Sequence, residues 1–275
     1  MNTTAIKSMK LYSRVDRIYD DLRHAGIGPN DPLTVADLLP FDQYHYFGAE
    51  AVDEAIRELA VRAGHRLLDV GSGLGGPARY LAEQTACRVT AIELQADLND
   101  VASSLTARCD LAGRIEHLCG DILTAAIDPG GYDAAVSWLA FYHIADKDRL
   151  FARLHDALRP GGSIYIEDFF SHGDFADREQ PILSEVVYAQ SLPSRDAYIG
   201  LLEAAGFSDI RFEDMTAQWM PFVIERASAY RARLPEHRAL HGRDVTDALD
   251  DFYDGVASLF RGGSFGGLRL VAKRA

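Results

Sequence analysis

The 275-residue sequence predicts an α/β protein whose mostly parallel sheet is flanked by crossover helices. Three observations carry that expectation. From residue 66 onward, short apolar runs alternate with stretches of helical spacing, the pattern of parallel strands joined by helices. The run Leu67-Leu68-Asp69-Val70-Gly71-Ser72-Gly73-Leu74-Gly75-Gly76-Pro77 takes an apolar strand through a carboxylate and a glycine turn into a helix. A second turn, Arg159-Pro160-Gly161-Gly162, stands ahead of another apolar run.

Ahead of the sheet, Ile6, Met9, Leu11, Val15, Ile18, Tyr19 and Leu22 recur every three to four residues, which predicts a lid helix over 5–24. A Pro- and Gly-bearing stretch over 26–40 reads as loop, the cluster Phe41-Asp42-Gln43-Tyr44-His45-Tyr46-Phe47-Gly48 follows, and helical spacing resumes over 49–62. Strands are expected at 66–70, at 88–92 closing on Glu93, and at 115–119, 134–138 and 163–167, with helices at 77–85, 96–108 and 146–158. After residue 170 the rhythm changes. Helices over 178–191 and 194–205 precede a strand at 210–213, helices at 219–233 and 245–259, and a closing strand at 268–273. The two late strands fit an antiparallel hairpin at one sheet edge. The expected organisation is an N-terminal helical cap over 1–48, a core over 49–170, a helical insertion over 171–207, and a completion of the sheet with cap helices over 208–275.

Composition narrows the function. Hydrophobic residues make up 48% of the chain, ordinary for a globule, and no apolar run approaches the ~18 residues of a membrane helix. Segment 1–10 is polar and lacks the apolar core of a secretory signal, so the cytoplasm is the default location. Cys87, Cys109 and Cys119 are odd in number and widely spaced, which predicts reduced thiols and argues against a disulfide framework or a Cys-x-x-Cys metal site. With 41 acidic against 28 basic residues the net charge is −13, a field that repels the phosphate backbone of nucleic acid. His143 and His155 are too far apart for a helix-face metal pair, and neither a nucleophile-elbow serine nor a phosphate loop ending in Lys-Ser/Thr is present, so no metal is expected.

In an open parallel sheet, ligands bind beyond the carboxyl ends of the strands. There the sequence places Asp69, Glu93, Asp121, Ser137-Trp138 and Glu167-Asp168. Glu93 lies 17 residues beyond Gly76, at the adjacent strand tip, where it can accept hydrogen bonds from both hydroxyls of a ribose. Asp121, within Gly120-Asp121-Ile122, can accept from an adenine amino group while Ile122 and Leu94 cover the ring faces. Alone, Asp121 reads as a helix or turn cap. The succession of acids on neighbouring strand ends, beside the glycine turn, selects a nucleotide-type cofactor. A nicotinamide dinucleotide fits poorly, because Asp69 directs its carboxylate toward the region that would hold pyrophosphate.

These residues resemble the class I S-adenosylmethionine-dependent methyltransferases. The run from Asp69 to Gly76 is similar to the first motif of that family and Glu93 to the second. Gly120-Asp121-Ile122 is similar to its adenine motif, and Leu158-Arg159-Pro160-Gly161-Gly162 to the turn before the fifth strand, a match that is good over 49–170 and weak at the ends. The resemblance implies a Rossmann-like, seven-stranded, mostly parallel sheet with an antiparallel last strand, helices on both faces, and S-adenosyl-L-methionine as cofactor. Carried over residue by residue, Asp69 and the backbone at Gly71 and Gly73 hold the methionine portion, Glu93 the ribose and Asp121 the adenine, with Ser72, Leu94, Ile122 and Ser137 completing the set.

The segment Trp138-Leu139-Ala140-Phe141-Tyr142-His143-Ile144 puts His143 on the loop that faces the transferable methyl in this fold. An unperturbed histidine can take a proton near neutral pH, and His143 reads otherwise as a loop hydrogen-bonding group. Its aromatic-x-His pattern, the insertion after the fifth strand and the run Gly262-Gly263-x-x-Gly266-Gly267 are similar to a small-molecule branch that includes phosphoethanolamine, sarcosine/dimethylglycine, tocopherol and sterol methyltransferases. The glycine run reads equally as a hairpin turn. Gln43, Tyr44, His45 and Tyr46 stand where that branch closes over the cofactor. Together with Trp138, Phe141 and Tyr142 they could hold an ammonium or sulfonium by cation–π attraction, or line an apolar pocket. Tyr46 joins His143 as a catalytic candidate, and Glu167 and Asp168 are candidates to orient the acceptor. The expectation is methyl transfer to a small molecule, with an amine nitrogen favoured. The alternative is carbon or oxygen transfer on a quinol, phenolic, prenyl or other natural-product substrate, and a non-catalytic S-adenosylmethionine-binding protein is more distant. A homodimer is compatible with the sequence.

Overall fold

The computed structural model describes residues 14–275, so the 5–13 part of the expected lid helix lies outside the described residues. Seven strands are present: β1 (Arg66–Val70), β2 (Arg88–Glu93), β3 (Ile115–Cys119), β4 (Tyr132–Trp138), β5 (Leu158–Ser171), β6 (Phe207–Asp214) and β7 (Phe265–Arg274). They form one sheet in the order β3-β2-β1-β4-β5-β7-β6. Pairing is parallel from β3 through β5, and β7 runs antiparallel to both β5 and β6. The helices are α1 (Arg17–His24), α2 (Val35–Asp42), α3 (Ala49–Glu58), α4 (Gly76–Thr85), α5 (Ala96–Arg108), α6 (Lys147–Ala157), α7 (Arg195–Ala204), α8 (Thr216–Ala232), α9 (Leu234–His241) and α10 (Arg243–Gly262).

Alternation along β1 sorts its side chains between two cores. Leu67 packs with Val89, Ala91, Ala134 and Val136 under α3 and α4, while Leu68 and Val70 pack with Ile92, Ala135, Ile164 and Ile166 under α6 and α7. Because both faces are covered, the central strands carry apolar residues at consecutive positions, as at Leu67-Leu68 in β1 and Ala134-Ala135-Val136 in β4. A third cluster gathers α8 and α10 around Trp219 with Tyr46, Tyr142 and Phe169, and a fourth joins Ile18, Leu22 and Leu38 to Leu98 and Leu105 of α5.

Strands β1 and β3 and helix α5 lie where periodicity predicts, and the departures have local causes. α2 occupies part of the stretch read as loop. Its start is a capping box in which the Thr34 hydroxyl accepts from the Asp37 N–H at 3.2 Å and the Asp37 carboxylate accepts from the Thr34 N–H at 2.8 Å. α9, also unpredicted, opens with Pro235 in its first turn. The helix expected over 178–191 contracts to a π-helical turn, Ile182–Val187, stopped by Tyr188 at φ 56°. The Pro160-Gly161-Gly162 turn is absorbed into β5 as a register shift against β4, with Gly161 at φ 73°.

The late strands are not a hairpin. β7 inserts between β5 and β6, with α8, α9 and α10 between the two in sequence. The glycine run is divided accordingly: Gly262 and Gly263 end α10, and Gly266 and Gly267 lie in β7. A Cβ on Gly267 would stand 2.1 Å from Cε3 of the fully buried Trp219. Gly267→Ala is therefore expected to cost about 1–3 kcal/mol by overpacking, seen as a lower Tm, and an unchanged Tm would show that the indole is not seated on this glycine.

Among the described residues, no helix is long and apolar enough to cross a membrane, and no group of His, Cys, Asp and Glu side chains could hold a metal ion. Cys87 is buried, Cys109 half-buried and Cys119 exposed, all as free thiols.

Candidate active site

The backbone turns at once after β1. The N–H groups of Gly71 and Ser72 both donate to the Ile92 carbonyl, at 2.9 and 3.1 Å, and Gly71 and Gly73 take φ values of 74° and 54° that favour glycine. A Cβ on Gly71 would also stand 2.3 Å from the Cβ of Ala140, so the turn touches the loop leaving β4. At the head of that loop Leu139 is held at φ 53°, a costly conformation for leucine of the kind that concentrates at ligand sites.

Two cavities meet here, both bordered by Gly71 and Leu139. In the first, Glu93 Oε2 accepts from the Gly73 N–H at 3.0 Å and Oε1 from the Gln95 N–H at 2.9 Å. Burial raises the pKa of Glu93, and these amides draw it back. Each carboxylate oxygen keeps a further lone pair for an incoming hydroxyl. Leu94, Asp121 and Ile122 border the same cavity. Asp121 Oδ1 also accepts from the Leu123 N–H at 2.9 Å, so capping and lining coexist in one residue.

Asp69 borders the second cavity. It is 1% exposed, its Oδ2 has no partner, and burial, with a smaller contribution from Glu93, pushes its pKa up to about 7. The buried Ser72 Oγ beside it is also unpartnered. Buried polar atoms are nearly always hydrogen-bonded, so two such atoms at one turn match a ligand that carries donors and positive charge. A nucleoside sulfonium with an aminoacyl tail has both, and the residues present fit it.

Away from Asp69, this second cavity becomes an aromatic chamber. Tyr44, His45, Tyr46, Trp138, Tyr142 and Phe169 border it, and α8 and α10 add Val223, Phe252 and Val256. The Tyr46 ring meets Trp219 edge-on at 4.9 Å, and burial raises the pKa of its hydroxyl. His45 Nε2 lies 2.9 Å from the Gly48 carbonyl and its ring 5.6 Å from Trp138; burial lowers its pKa to about 4. His143 borders the first cavity instead, so it and Tyr46 occupy adjoining spaces rather than one. Its Nδ1 lies 3.0 Å from the Tyr188 carbonyl, which can only accept, so Nδ1 carries the proton. Nε2 is buried without a partner, and burial lowers the pKa to about 4.

Other sequence candidates are placed elsewhere. Gln43 Nε2 donates to Asp42 Oδ1 at 2.9 Å and borders an outer groove. Ser137 Oγ donates to the Val70 carbonyl at 2.8 Å, tying β4 to β1, and Phe141 packs on Phe151 at 6.2 Å in the core. Glu167 faces Arg269 directly across the β5–β7 pairing and forms an ion pair at 2.8 Å. None of Ser137, Phe141 and Glu167 borders either cavity. Asp168 is fully buried, its pKa pushed up to about 7 by burial against the pull of Lys147. Lys147 Nζ donates to the carbonyls of Phe141 and Ile144 at 2.7 and 2.6 Å, bracing the loop that carries His143. Sequence reasoning missed Arg226 and Tyr253, which border the chamber from α8 and α10. The three-residue spacing of Val223 and Arg226 marks one helix face, but nothing local says what that face covers.

Comparison with known proteins bears on the fold and the family. Residues 67–162 match a family model described as a methyltransferase domain. Phosphoethanolamine N-methyltransferase 1 of Arabidopsis thaliana is 30% identical over 181 residues, covering 65% of this chain and 36% of that protein. Methyltransferase GfsG of Streptomyces halstedii is 27% identical over 221 residues, covering 79% of this chain and 77% of that protein. Among solved structures, Haemonchus contortus phosphoethanolamine N-methyltransferase 2, bound to phosphomonomethylethanolamine and S-adenosylhomocysteine, shares the fold with a TM-score of 0.72 at 22% identity. That match covers 88% of this chain and 60% of that one. The chain spans about a third of the length of the plant phosphoethanolamine N-methyltransferases it matches. Fold and site together define an α/β domain whose glycine turn lies where two cavities meet. The chain carries a class I S-adenosylmethionine-dependent methyltransferase domain.

Proposed function

We propose that the protein transfers a methyl group from S-adenosylmethionine to a small molecule held in the aromatic chamber, preferably to an amine nitrogen. The observation that carries this reading is the junction at Gly71 and Leu139, where a cavity suited to a nucleoside meets an aromatic chamber with Asp69 on its wall. The cofactor supplies, when bound, an electrophilic methyl on a sulfonium. Asp69, Ser72 and the backbone of the glycine turn hold its aminoacyl portion, Glu93 accepts from the ribose, and Leu94, Asp121 and Ile122 enclose the base. The faces of Tyr46, Trp138 and Tyr142 attract positive charge and hold the acceptor in line while excluding water. An amine has only to arrive unprotonated, which suits surroundings where burial keeps His45 and His143 neutral at physiological pH.

Methyl-labelled cofactor offered with amines, phenols and prenylated rings, with products detected by mass, tests the reading. A protein that binds the cofactor by calorimetry and labels nothing would overturn it. Transfer to a hydroxyl requires a base, and His143 is the candidate. His143→Ala is then expected to lower kcat at least ~100-fold and to remove the acidic limb of the pH profile. An unchanged kcat with a lower Tm would assign His143 to holding the Tyr188 carbonyl.

A further inference from the structure

Four side chains separate the aromatic chamber from the wide outer groove and border both: Tyr44, His45, Arg226 and Tyr253. Among the described residues, the Arg226 guanidinium donates only to the Tyr44 carbonyl at 3.5 Å and the Tyr253 hydroxyl at 3.3 Å. It lies 4.6 Å from the Tyr253 ring and 5.9 Å from the Tyr46 ring. Arg17 of α1 borders the groove, is 8% exposed, and lies 5.5 Å from the Tyr44 ring. Neither arginine forms an ion pair among the described residues. Of the acids nearby, Asp42 is committed to Arg79 at 2.8 Å, and Asp21 contacts His241 at 2.9 Å while its charge also acts on Arg17 without an ion-pair contact. At the groove's rim, Glu236 pairs with Arg233 at 2.8 Å and Glu50 is exposed.

Enclosed charges are tolerated when compensated, and arginine cannot relieve the cost by losing its proton. The field of the pair is felt at Tyr253, whose hydroxyl is held below the usual phenol value by Arg226 and Arg17 despite the burial that raises it. In a chain of net charge −13, two guanidiniums at one cavity wall, with Asp21 acting on Arg17 alone and no carboxylate among the described residues in contact with either, favour an anion from outside.

We propose that Arg226 and Arg17 form an anion subsite that takes the carboxylate or phosphate of the methyl acceptor, leaving its reacting end among the aromatic rings. This rests on the methyltransferase reading above and narrows it. The acceptor is a small molecule with an anionic group at one end and the methylated atom at the other, and the site is polarised between Asp69 and the two guanidiniums.

Thermal unfolding and calorimetry on the full chain test this with inorganic phosphate and with acetate as probes, at constant ionic strength and with S-adenosylhomocysteine saturating. One probe is expected to raise Tm, and which one does so distinguishes a phosphate acceptor from a carboxylate acceptor. Arg226→Met and Arg17→Met should each weaken that anion about tenfold or more, the scale of a lost charged hydrogen bond, with S-adenosylhomocysteine affinity unchanged. Without anion, both variants should melt at or above the wild type, because each removes an unpaired enclosed charge. The proposal is overturned if neither probe protects, if protection survives in both variants, or if both variants melt lower without anion. It is also overturned if Arg226→Met loses affinity for S-adenosylhomocysteine, since the anion would then be the cofactor's own carboxylate. Failure of the wild type to bind S-adenosylhomocysteine would instead strike the methyltransferase reading, with the anion measurements still readable on the unliganded chain.

Discussion

Replacing Asp69 by Asn is expected to raise the Tm of the ligand-free protein at pH 8 and to lower its affinity for S-adenosylmethionine about ten- to a hundredfold. The carboxyl is 1% exposed with Oδ2 unpartnered, and burial moves its pKa from 3.8 to about 7. Between those two values the native chain holds a proton that the unfolded chain has released, so stability falls as pH rises through the window and stays low above it. At pH 8 the ionised group costs folding up to about 4 kcal/mol, at about 1.4 kcal/mol per pKa unit. The amide escapes that cost, which should appear as roughly 2–4 °C in Tm per kcal/mol, whereas near pH 4 the two proteins should melt almost together. Cofactor binding reverses the logic: a cation beside Asp69 favours its ionised form, so binding at pH 6 should release protons. Calorimetry in buffers of different ionisation enthalpy measures that release. Equal melting at pH 8, or an Asn variant that binds the cofactor normally, would remove Asp69 from the site.

The parallel half of the sheet was legible because its signals are local. β1 carries Leu67, Leu68 and Val70 buried on both faces, and the glycines after it declare positive φ directly. Asp69, Glu93 and Asp121 could be placed at the cavities because strand ends and ligand sites coincide in such sheets. Long-range facts were hidden. Glu167 ends an apolar run like the other acids, and only the insertion of β7 beside β5 reveals Arg269, 102 residues away, as its partner. Arg226 reads as one polar residue on a helix with little segregation of polar from apolar side chains until α8 is seen to cover the chamber. α2 was missed for another reason. Its evidence is a cap, Thr34 with Asp37, whereas Pro40 and a short span mask the periodicity.

Breaking the ion pair between Arg79 and Asp42 is expected to cost about 3–5 kcal/mol, the scale for stranding one buried charge. Both side chains are 0% exposed, with Nη2 and Oδ2 2.8 Å apart. The same guanidinium donates to the carbonyls of Leu74 at 2.6 Å and Ala102 at 3.2 Å and to Thr106 Oγ1 at 3.1 Å, so one side chain joins α2, the glycine turn and α5. The two single variants should respond differently to pH. Arg79→Ala leaves an acid that burial pushes upward once Arg79 no longer pulls it down, so lowering the pH lets Asp42 take a proton and shrinks the penalty. Asp42→Ala leaves a permanent guanidinium charge, and its penalty should persist at low pH. Arg79→Met combined with Asp42→Leu should recover much of the stability, because neither charge remains to be buried. Function should recover less. A Cβ on Gly76 would stand 2.6 Å from the Asp42 carbonyl oxygen, and Gln43 bonds the Asp42 carboxylate, so the pair sets how the Gln43–Tyr46 segment enters the chamber. The apolar double variant is expected to fold with a raised acceptor KM. Single variants that melt within about 1 kcal/mol of the wild type would show that packing of α2 alone fixes this segment.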